Sequence, residues 1–416
     1  MSFRVGYLAR YLPSPSETFV LDEALAVEAA GAEIVPITLD RARKAVGHAR
    51  FAELYAAAEV VPRPSSPSAF YASMVVDGSS LMPMLRAHWL GVARARDLRR
   101  ASWLARFLRN EAIDLLRVHH AAEVARYAVV AGLLAGVPVS IAVHARDLFV
   151  PVDDLPWILS QSAHVTTVTP FHRERLLRGG LPSERVALVP CPVSVPTARA
   201  QPPEADAPLR LLSVGRLIPK KGHDILIEAC TLLAREGLRV ALTIVGDGAE
   251  GLALRQQASA AQSSTEGRLT VEFRGVQPVE VVQELLLTGR YHAFVLACRV
   301  APDGDRDGLP VSLLEAQAAG LPTVTASLPG FGSLLEDGRG GVLLPLSGGR
   351  RTDDPAELHP ADLAQVLREL YDDVGWRDEL ADGARMAAEL RPSPVESARR
   401  LVMMWAALVE PAQGLG

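Results

Sequence analysis

The sequence predicts an α/β protein of two parallel-sheet domains. Short β-branched apolar runs alternate with helical patterns, the mark of βαβ units. The alternation halts in a Pro/Ala-rich stretch near the middle of the chain and resumes beyond it. At 416 residues the chain also exceeds what one ordinary core holds. The expected division is 1–195 for the first domain, 196–208 for a linker, 209–390 for the second domain and 391–416 for a terminal helical segment.

In the first half the candidate strands are 4–8, 33–37, 115–118, 139–143, 165–168 and 186–189, while 41–105 gives helices without clear order. The uncharged run 127–143 is divided by Gly132, Gly136 and Pro138, so it predicts a helix, a turn and a short strand rather than a membrane span. Pro192, Pro196, Pro202, Pro203 and Pro208 mark the linker. Strands are expected again at 209–214, 240–245, 271–274, 293–296, 323–325 and 342–344. A last helix then puts Ala398, Leu401, Val402, Trp405, Ala406 and Val409 on one face.

Bulk properties exclude several classes. With 49% hydrophobic and 22% charged residues the chain can build cores, which excludes large-scale disorder. A net charge of −5 without a long basic block argues against nucleic acid as partner. Arg94, Arg96, Arg99 and Arg100 fit a solvated helix face first and a peripheral contact with an anionic membrane second. Cys191, Cys230 and Cys298 are widely spaced and odd in number, suggesting neither disulfides nor a zinc cluster. With no secretory signal evident at the start, the expected location is cytoplasmic, with the inner face of the membrane as a peripheral site.

Chemistry concentrates in 304–315. Asp307 and Glu315 lie eight positions apart and bracket Gly308, Leu309, Pro310, Val311 and Ser312. Pro310 suits a first helical position, and Gly320 and Pro322 punctuate the far end, so a helix is expected over about 310–319. The N–H groups of its first turn and the positive end of its macrodipole face an anion beyond Gly308 and Leu309. Glu315 sits among apolar and small residues, so its carboxylate needs a partner such as a pair of hydroxyls. Without other signals, a capped surface helix explains both acids.

Further elements cluster after predicted strands. Gly215 is followed by Arg216 and Lys221, two cations five apart on one loop at the carboxyl edge of a parallel sheet, which suits a diphosphate. Gly246, Gly248 and Gly251 satisfy the G-x-G-x-x-G pattern and support an alternative, an NAD(P)-dependent oxidoreductase. In the first half, Ser14 and Glu17 have capping-box spacing. His144 closes the strand 139–143 and is followed by Asp147, a position that suits either a structural or a ligand-contacting histidine.

Taken together, Asp307-Gly-Leu-Pro followed by Glu315, the Gly215-Arg216-Leu217…Lys221-Gly222 loop, the Val245-Gly246-Asp247-Gly248 turn and His144-Ala-Arg-Asp147 resemble the retaining glycosyltransferases of family 4, which have the GT-B fold. Asp307 stands where that family usually has Glu, Ala145 where it has Gly, and Gly330-Phe331-Gly332-Ser333 where it has Gly-x-Pro-Glu. The string Ser16-Glu17-Thr18-Phe19 is similar to a subgroup that builds bacterial exopolysaccharides, with natural-product enzymes as relatives.

The resemblance implies two Rossmann-like domains facing a central cleft, with the terminal helix crossing back to the first. It implies transfer of a sugar from a nucleotide sugar, most simply UDP-linked, to a hydroxyl of a saccharide, lipid-linked glycan or small natural product, without metal or cofactor. Arg216, Lys221, His144 and Asp307 would act on the transferred group. Gly215, Gly246, Gly248, Val276, the stretch Gly308 to Ser312, and Glu315 would bind the donor; Ser16, Glu17 and Asp147 would lie on the acceptor side. A non-catalytic nucleotide-sugar-binding protein is the other alternative.

Overall fold

The apolar runs pair edge to edge as parallel strands in two sheets. The computed structural model describes residues 3–12, 18–40, 53, 56–62, 95–150, 153–204, 206–333, 335, 338–348 and 356–409. They divide into two compact units, one of residues 1–192 with 394–416, the other of 193–393.

The first unit contains β1 (Phe3–Ala9), α1 (Thr18–Ala29), β2 (Ala32–Thr38), β3 (Glu59–Val60), α2 (Ala95–Asn110), β4 (Leu115–His119), α3 (Glu123–Ala135) and β5 (Val139–Val143). It continues with α4 (Ala145–Phe149), α5 (Leu155–Gln161), β6 (His164–Thr167), α6 (Pro170–Arg178) and β7 (Val186–Leu188). The strand order is β3-β2-β1-β4-β5-β6-β7, all parallel. Every position of β4, β5 and β6 is buried because helices cover both faces.

One cover packs Leu104 and Leu108 of α2 and Ala125 and Ala128 of α3 beneath the sheet. The other packs Val20 and Val27 of α1 with Leu401 and Trp405 of the terminal helix Pro394–Val409, which lies along α1. Between α3 and β5 the chain turns at Gly136, which ends the helix in the left-handed conformation. The long uncharged run is therefore a helix, a turn and a strand. Among the described residues no helix is long and apolar enough to cross a membrane.

The second unit contains β8 (Leu209–Val214), α7 (His223–Arg235), β9 (Val240–Val245), α8 (Gly251–Ser264), β10 (Leu269–Phe273), α9 (Val279–Thr288) and β11 (Ala293–Leu296). After these come α10 (Val311–Ala319), β12 (Thr323–Ala326), β13 (Val342–Leu344), the pair β14 (Ser347–Gly348) and β15 (Ala356–Glu357), α11 (Pro360–Asp372) and α12 (Val374–Glu389). The main sheet has the order β10-β9-β8-β11-β12-β13, also parallel. In α7 the buried Ile225, Leu226, Ile227, Cys230 and Leu233 lock the helix to this sheet. In each sheet the order reverses beside the first strand, between β1 and β4 and between β8 and β11. Such a switch point leaves a crevice at the carboxyl ends of the two strands.

Several expectations shift. Pro310 is the residue before α10, with φ −65° and ψ 126°, so the helix begins at Val311 rather than at the proline. The strands β3, β14 and β15 were not expected. Residues 95–110 form one ordered helix inside the stretch that showed no clear order. Arg94 lies outside the described residues, and Arg100 is buried, 3.8 Å from Asp40 and with its guanidinium 5.7 Å from the centre of the Tyr127 ring. Arg100 thus points inward and is not available to a membrane surface.

Candidate functional site

The second unit's crevice is built by two loops. The loop leaving β8 runs through Gly215 and exposed Arg216 into a 3-10 turn, Pro219–Lys221, which buries Lys220 and Lys221. The loop leaving β11 carries Cys298, Asp305, Asp307, Gly308 and Leu309 toward the start of α10. They meet through charge: Lys221 Nζ lies 2.8 Å from Asp307 Oδ2, and Lys220 Nζ lies 3.2 Å from Asp305 Oδ1 and 3.5 Å from Asp307 Oδ1.

Burial pushes the Asp307 carboxyl up, but Lys221 and then Lys220 more than offset this and hold it at about 2. Cys298 Sγ sits 3.7 Å from Asp307 Oδ2, and burial pushes its thiol up to about 12, so it is an inert neutral neighbour. Arg216 has no ion-pair partner among the described residues; its charge also depresses Asp307.

Behind these loops lies the turn after β9. A Cβ on Gly246, whose φ is +137°, would sit 1.9 Å from the Gly215 carbonyl oxygen, and one on Gly248 would sit 2.4 Å from that of Leu217. Leu217 N–H donates to Asp247 O at 3.0 Å, Glu250 N–H to Leu217 O at 3.0 Å and Gly246 N–H to Gly275 O at 2.8 Å. Gly246 and Gly248 therefore permit one backbone to lie on another, and these two glycines of the G-x-G-x-x-G spacing have this packing reason. The turn follows β9, the second strand, rather than the first βα crossover where a dinucleotide fingerprint belongs. Val276, two residues past Arg274, is half exposed beside it.

At the mouth, Val311 and Ser312 are half-buried, and Ser312 Oγ donates to Val214 O at 2.9 Å, fastening the start of α10 to the end of β8. Glu315 follows one turn in, half-buried between Leu314 and Ala316, both buried. Lys221, Asp307 and the α10 start thus form one constellation with Arg216, and the first-turn N–H groups add positive potential there.

In the first unit His144 stands at the end of β5, and its backbone N–H donates to Asp147 Oδ2 at 2.9 Å. Burial pushes the Asp147 carboxyl above its ordinary range. Ser16 and Glu17 lie outside the described residues. His119 closes β4, and its Nδ1 lies 3.4 Å from His144 Nε2.

A buried polar network continues inward from His119. Its Nε2 is 3.1 Å from Glu23 Oε1, and Glu23 is gripped at both oxygens by Arg117, at 2.8 and 2.9 Å. Tyr7 O–H donates to the same Oε1 at 3.0 Å. Arg117 also donates to Ser140 Oγ at 3.0 Å, which accepts from Trp405 Nε1 at 3.0 Å.

Burial acts first on the Glu23 carboxyl, raising it, yet Arg117 and His119 hold it well below the usual range. Burial drives both His119 and His144 below the ordinary histidine value, so both are neutral near pH 7. A small cavity touches Phe19, Glu23, His119, His144, Thr167 and Cys191. Sequence reasoning missed Glu23, Arg117 and Tyr7; the available signal was an arginine inside the otherwise apolar run Leu115-Leu116-Arg117-Val118.

Comparison with known proteins decides what these constellations belong to. Residues 16–195 match the model "Glycosyltransferase Family 4" and residues 194–347 the model "Glycosyl transferases group 1". The chain belongs to glycosyltransferase family 4. It is 26% identical over 395 residues to the protein named as colanic acid biosynthesis glycosyltransferase WcaL of Escherichia coli (strain K12), covering 89% of this chain and 95% of that one.

It is 31% identical over 193 residues to the amylovoran biosynthesis glycosyltransferase AmsK of Erwinia amylovora, 46% of each chain. Among solved structures, Anabaena Alr3699/HepE in complex with UDP and glucose superposes with a TM-score of 0.70 at 15% identity over 97% of this chain and 100% of that one. The lipopolysaccharide outer core galactosyltransferase WaaB superposes at 0.66 and 17% identity, with 98% and 100% covered. These structures show the GT-B fold, two Rossmann-like domains. As a family 4 glycosyltransferase, the chain has no use for a nicotinamide fingerprint at Gly246.

Proposed function

We propose that this glycosyltransferase moves a glycosyl group from a UDP-linked sugar to a hydroxyl of a saccharide, lipid-linked glycan or small natural-product acceptor, with retention of anomeric configuration. One observation carries the reading: Lys221, Lys220 and Asp307 meet at the β8/β11 switch point beside the N-terminus of α10 and Arg216. That is where a diphosphate finds two permanent cations and a row of backbone N–H donors. WcaL and AmsK, named for colanic acid and amylovoran biosynthesis, favour polysaccharide assembly as the setting. The UDP and glucose held by the Alr3699/HepE structure favour a uridine donor.

In this reading Arg216 and Lys221 neutralise the charge that grows on the diphosphate as the bond from sugar C1 to phosphate oxygen breaks. Glu315 takes the ribose hydroxyls. Asp307 and the backbone from Gly308 through Leu309, Pro310 and Val311 to Ser312 hold sugar and phosphate. Gly215, Gly246, Gly248 and Val276 border the nucleoside, and His144 contacts the transferred sugar. Ser16, Glu17 and Asp147 serve the acceptor. The acceptor hydroxyl forms the new bond to C1 and passes its proton to the departing diphosphate, so neither a metal nor a side-chain base is called for.

A panel of nucleotide sugars, scored by release of UDP or GDP and by the product's anomeric NMR couplings, tests this directly. UDP release with a retained anomer supports it. Thermal stabilisation by a nucleotide sugar with no transfer to any acceptor would make the chain a binding protein instead.

A further inference from the structure

The carboxylate of Glu23 is engaged at both oxygens by neighbouring side chains. Its Oε1 already accepts from Arg117 Nε, Tyr7 O–H and His119 Nε2, and its Oε2 accepts from Arg117 Nη2. What it does reach is His144, by way of one ring. An ionised carboxylate has no proton to give, so at 3.1 Å the His119 Nε2 must be the donor; a bare nitrogen there would set two lone pairs against each other in a buried site.

A neutral His119 then has its lone pair on Nδ1. That nitrogen faces His144 Nε2 at 3.4 Å, across rings inclined by only 22°. The proton of His144 is thereby drawn to Nε2 as well. The His120 ring centre lies 4.6 Å from that of His144, and its Nδ1 lies 3.8 Å from Asp147 Oδ2. Phe19 closes another side, 5.0 Å from the His144 ring centre.

We propose that Glu23, acting through His119, is a positioning residue that fixes His144 as the neutral, Nε2-protonated tautomer. This rests on the glycosyltransferase reading for its purpose. Positive charge grows at C1 of a sugar as its phosphate leaves, and an imidazolium nearby would repel it, whereas a neutral ring with a lone pair at Nδ1 does not. The low values at which burial holds both rings agree with this. Arg117 completes the device, because its bidentate grip keeps Glu23 ionised and its fork fixed.

The test is ¹⁵N NMR of the full chain labelled at histidine, with His119 and His144 assigned by His119→Phe and His144→Phe, together with kinetics. Near pH 7 the wild-type rings of His119 and His144 should each show one protonated Nε2 and one bare Nδ1. A His144 found as the Nδ1-protonated tautomer or as a cation overturns the proposal, whatever the enzyme turns out to transfer.

Glu23→Gln and His119→Phe should each leave His144 as a mixture of tautomers and lower kcat by roughly 10-fold, the order seen when a site histidine loses its supporting partner. UDP affinity should stay unchanged. Should Glu23→Gln fail to fold because Arg117 is left unpaired, His119→Phe, which keeps that ion pair, decides alone. A folded His119→Phe with normal kcat and a single His144 tautomer refutes it. An absence of UDP binding and of transfer in the wild type would instead refute the glycosyltransferase donor assignment, while the NMR result still stands.

Discussion

Lys221 Nζ lies 2.8 Å from Asp307 Oδ2, so the lysine assigned to a diphosphate is held by a carboxylate of its own loop pair. Lys220 binds the other oxygen of Asp307, which ties both loops of the switch point into one charged knot. We therefore expect Asp307 to orient Lys221 as much as it contacts sugar.

Lys221→Ala should lower kcat by about 10² to 10³, the scale of losing one charge-stabilising donor in a reacting site. Folding should survive, since Lys220 still partners Asp307. UDP release from the preferred donor measures it, and near-normal kcat would remove Lys221 from the mechanism.

The Asp307 carboxyl also predicts a pH dependence of stability. Folding lowers it from the ordinary 3.8 to about 2, so the ionised form stabilises the fold above about pH 4 and that contribution is lost as pH falls toward 2. Its size is about 2 kcal/mol. Urea unfolding of wild type and Asp307→Asn should show a stability gap at pH 5 that narrows by pH 3; a constant gap would mean the carboxylate is not held by the lysines.

Two glycines with positive φ should behave differently. Gly246→Ala drives a Cβ into the Gly215 carbonyl and should abolish UDP binding by displacing the loop that carries Arg216. Gly275→Ala, with φ +66° but open space around its Cβ, should cost about 1 kcal/mol of stability and leave UDP affinity intact. Calorimetric titration of both variants with UDP compares them, and equal effects would argue against the close packing.

Trp405→Phe should destabilise the first unit by about 1 kcal/mol through loss of the N–H to Ser140, and Trp405→Ala by about 3 to 5 kcal/mol through the cavity it leaves. Because Trp405 belongs to the first unit's core, UDP binding by the second unit should persist in both variants. Loss of UDP affinity in folded Trp405→Phe would show the two are coupled.

Much of this was legible in the sequence because it is local. Period and punctuation located β8, β9, β11 and β13 to the residue, and Gly136 divided a run that could have been mistaken for a membrane span. The G-x-G-x-x-G spacing at Gly246 left an oxidoreductase open as an alternative, because a glycine required by backbone packing and one required by a ligand leave the same letter.

What stayed hidden is the network around Glu23. That residue sits in α1 among Leu, Ala and Val with no spacing signal, and its partner Arg117 is 94 positions away. Such pairs are set by which strand lies under which helix. The only trace was the expense of a guanidinium in an apolar strand.

The terminal helix carries one last consequence, for biosynthesis. Leu401 and Trp405 belong to the core of the unit whose other residues end at 192, with the whole second unit encoded in between. On the ribosome, residues 1–192 therefore emerge with Ser140 and Arg117 still lacking Trp405, and this half waits for some two hundred more residues before its core can close. A chaperone that shields the α1 face during translation would have its target there, and nascent chains arrested before residue 394 should be protease-sensitive at α1.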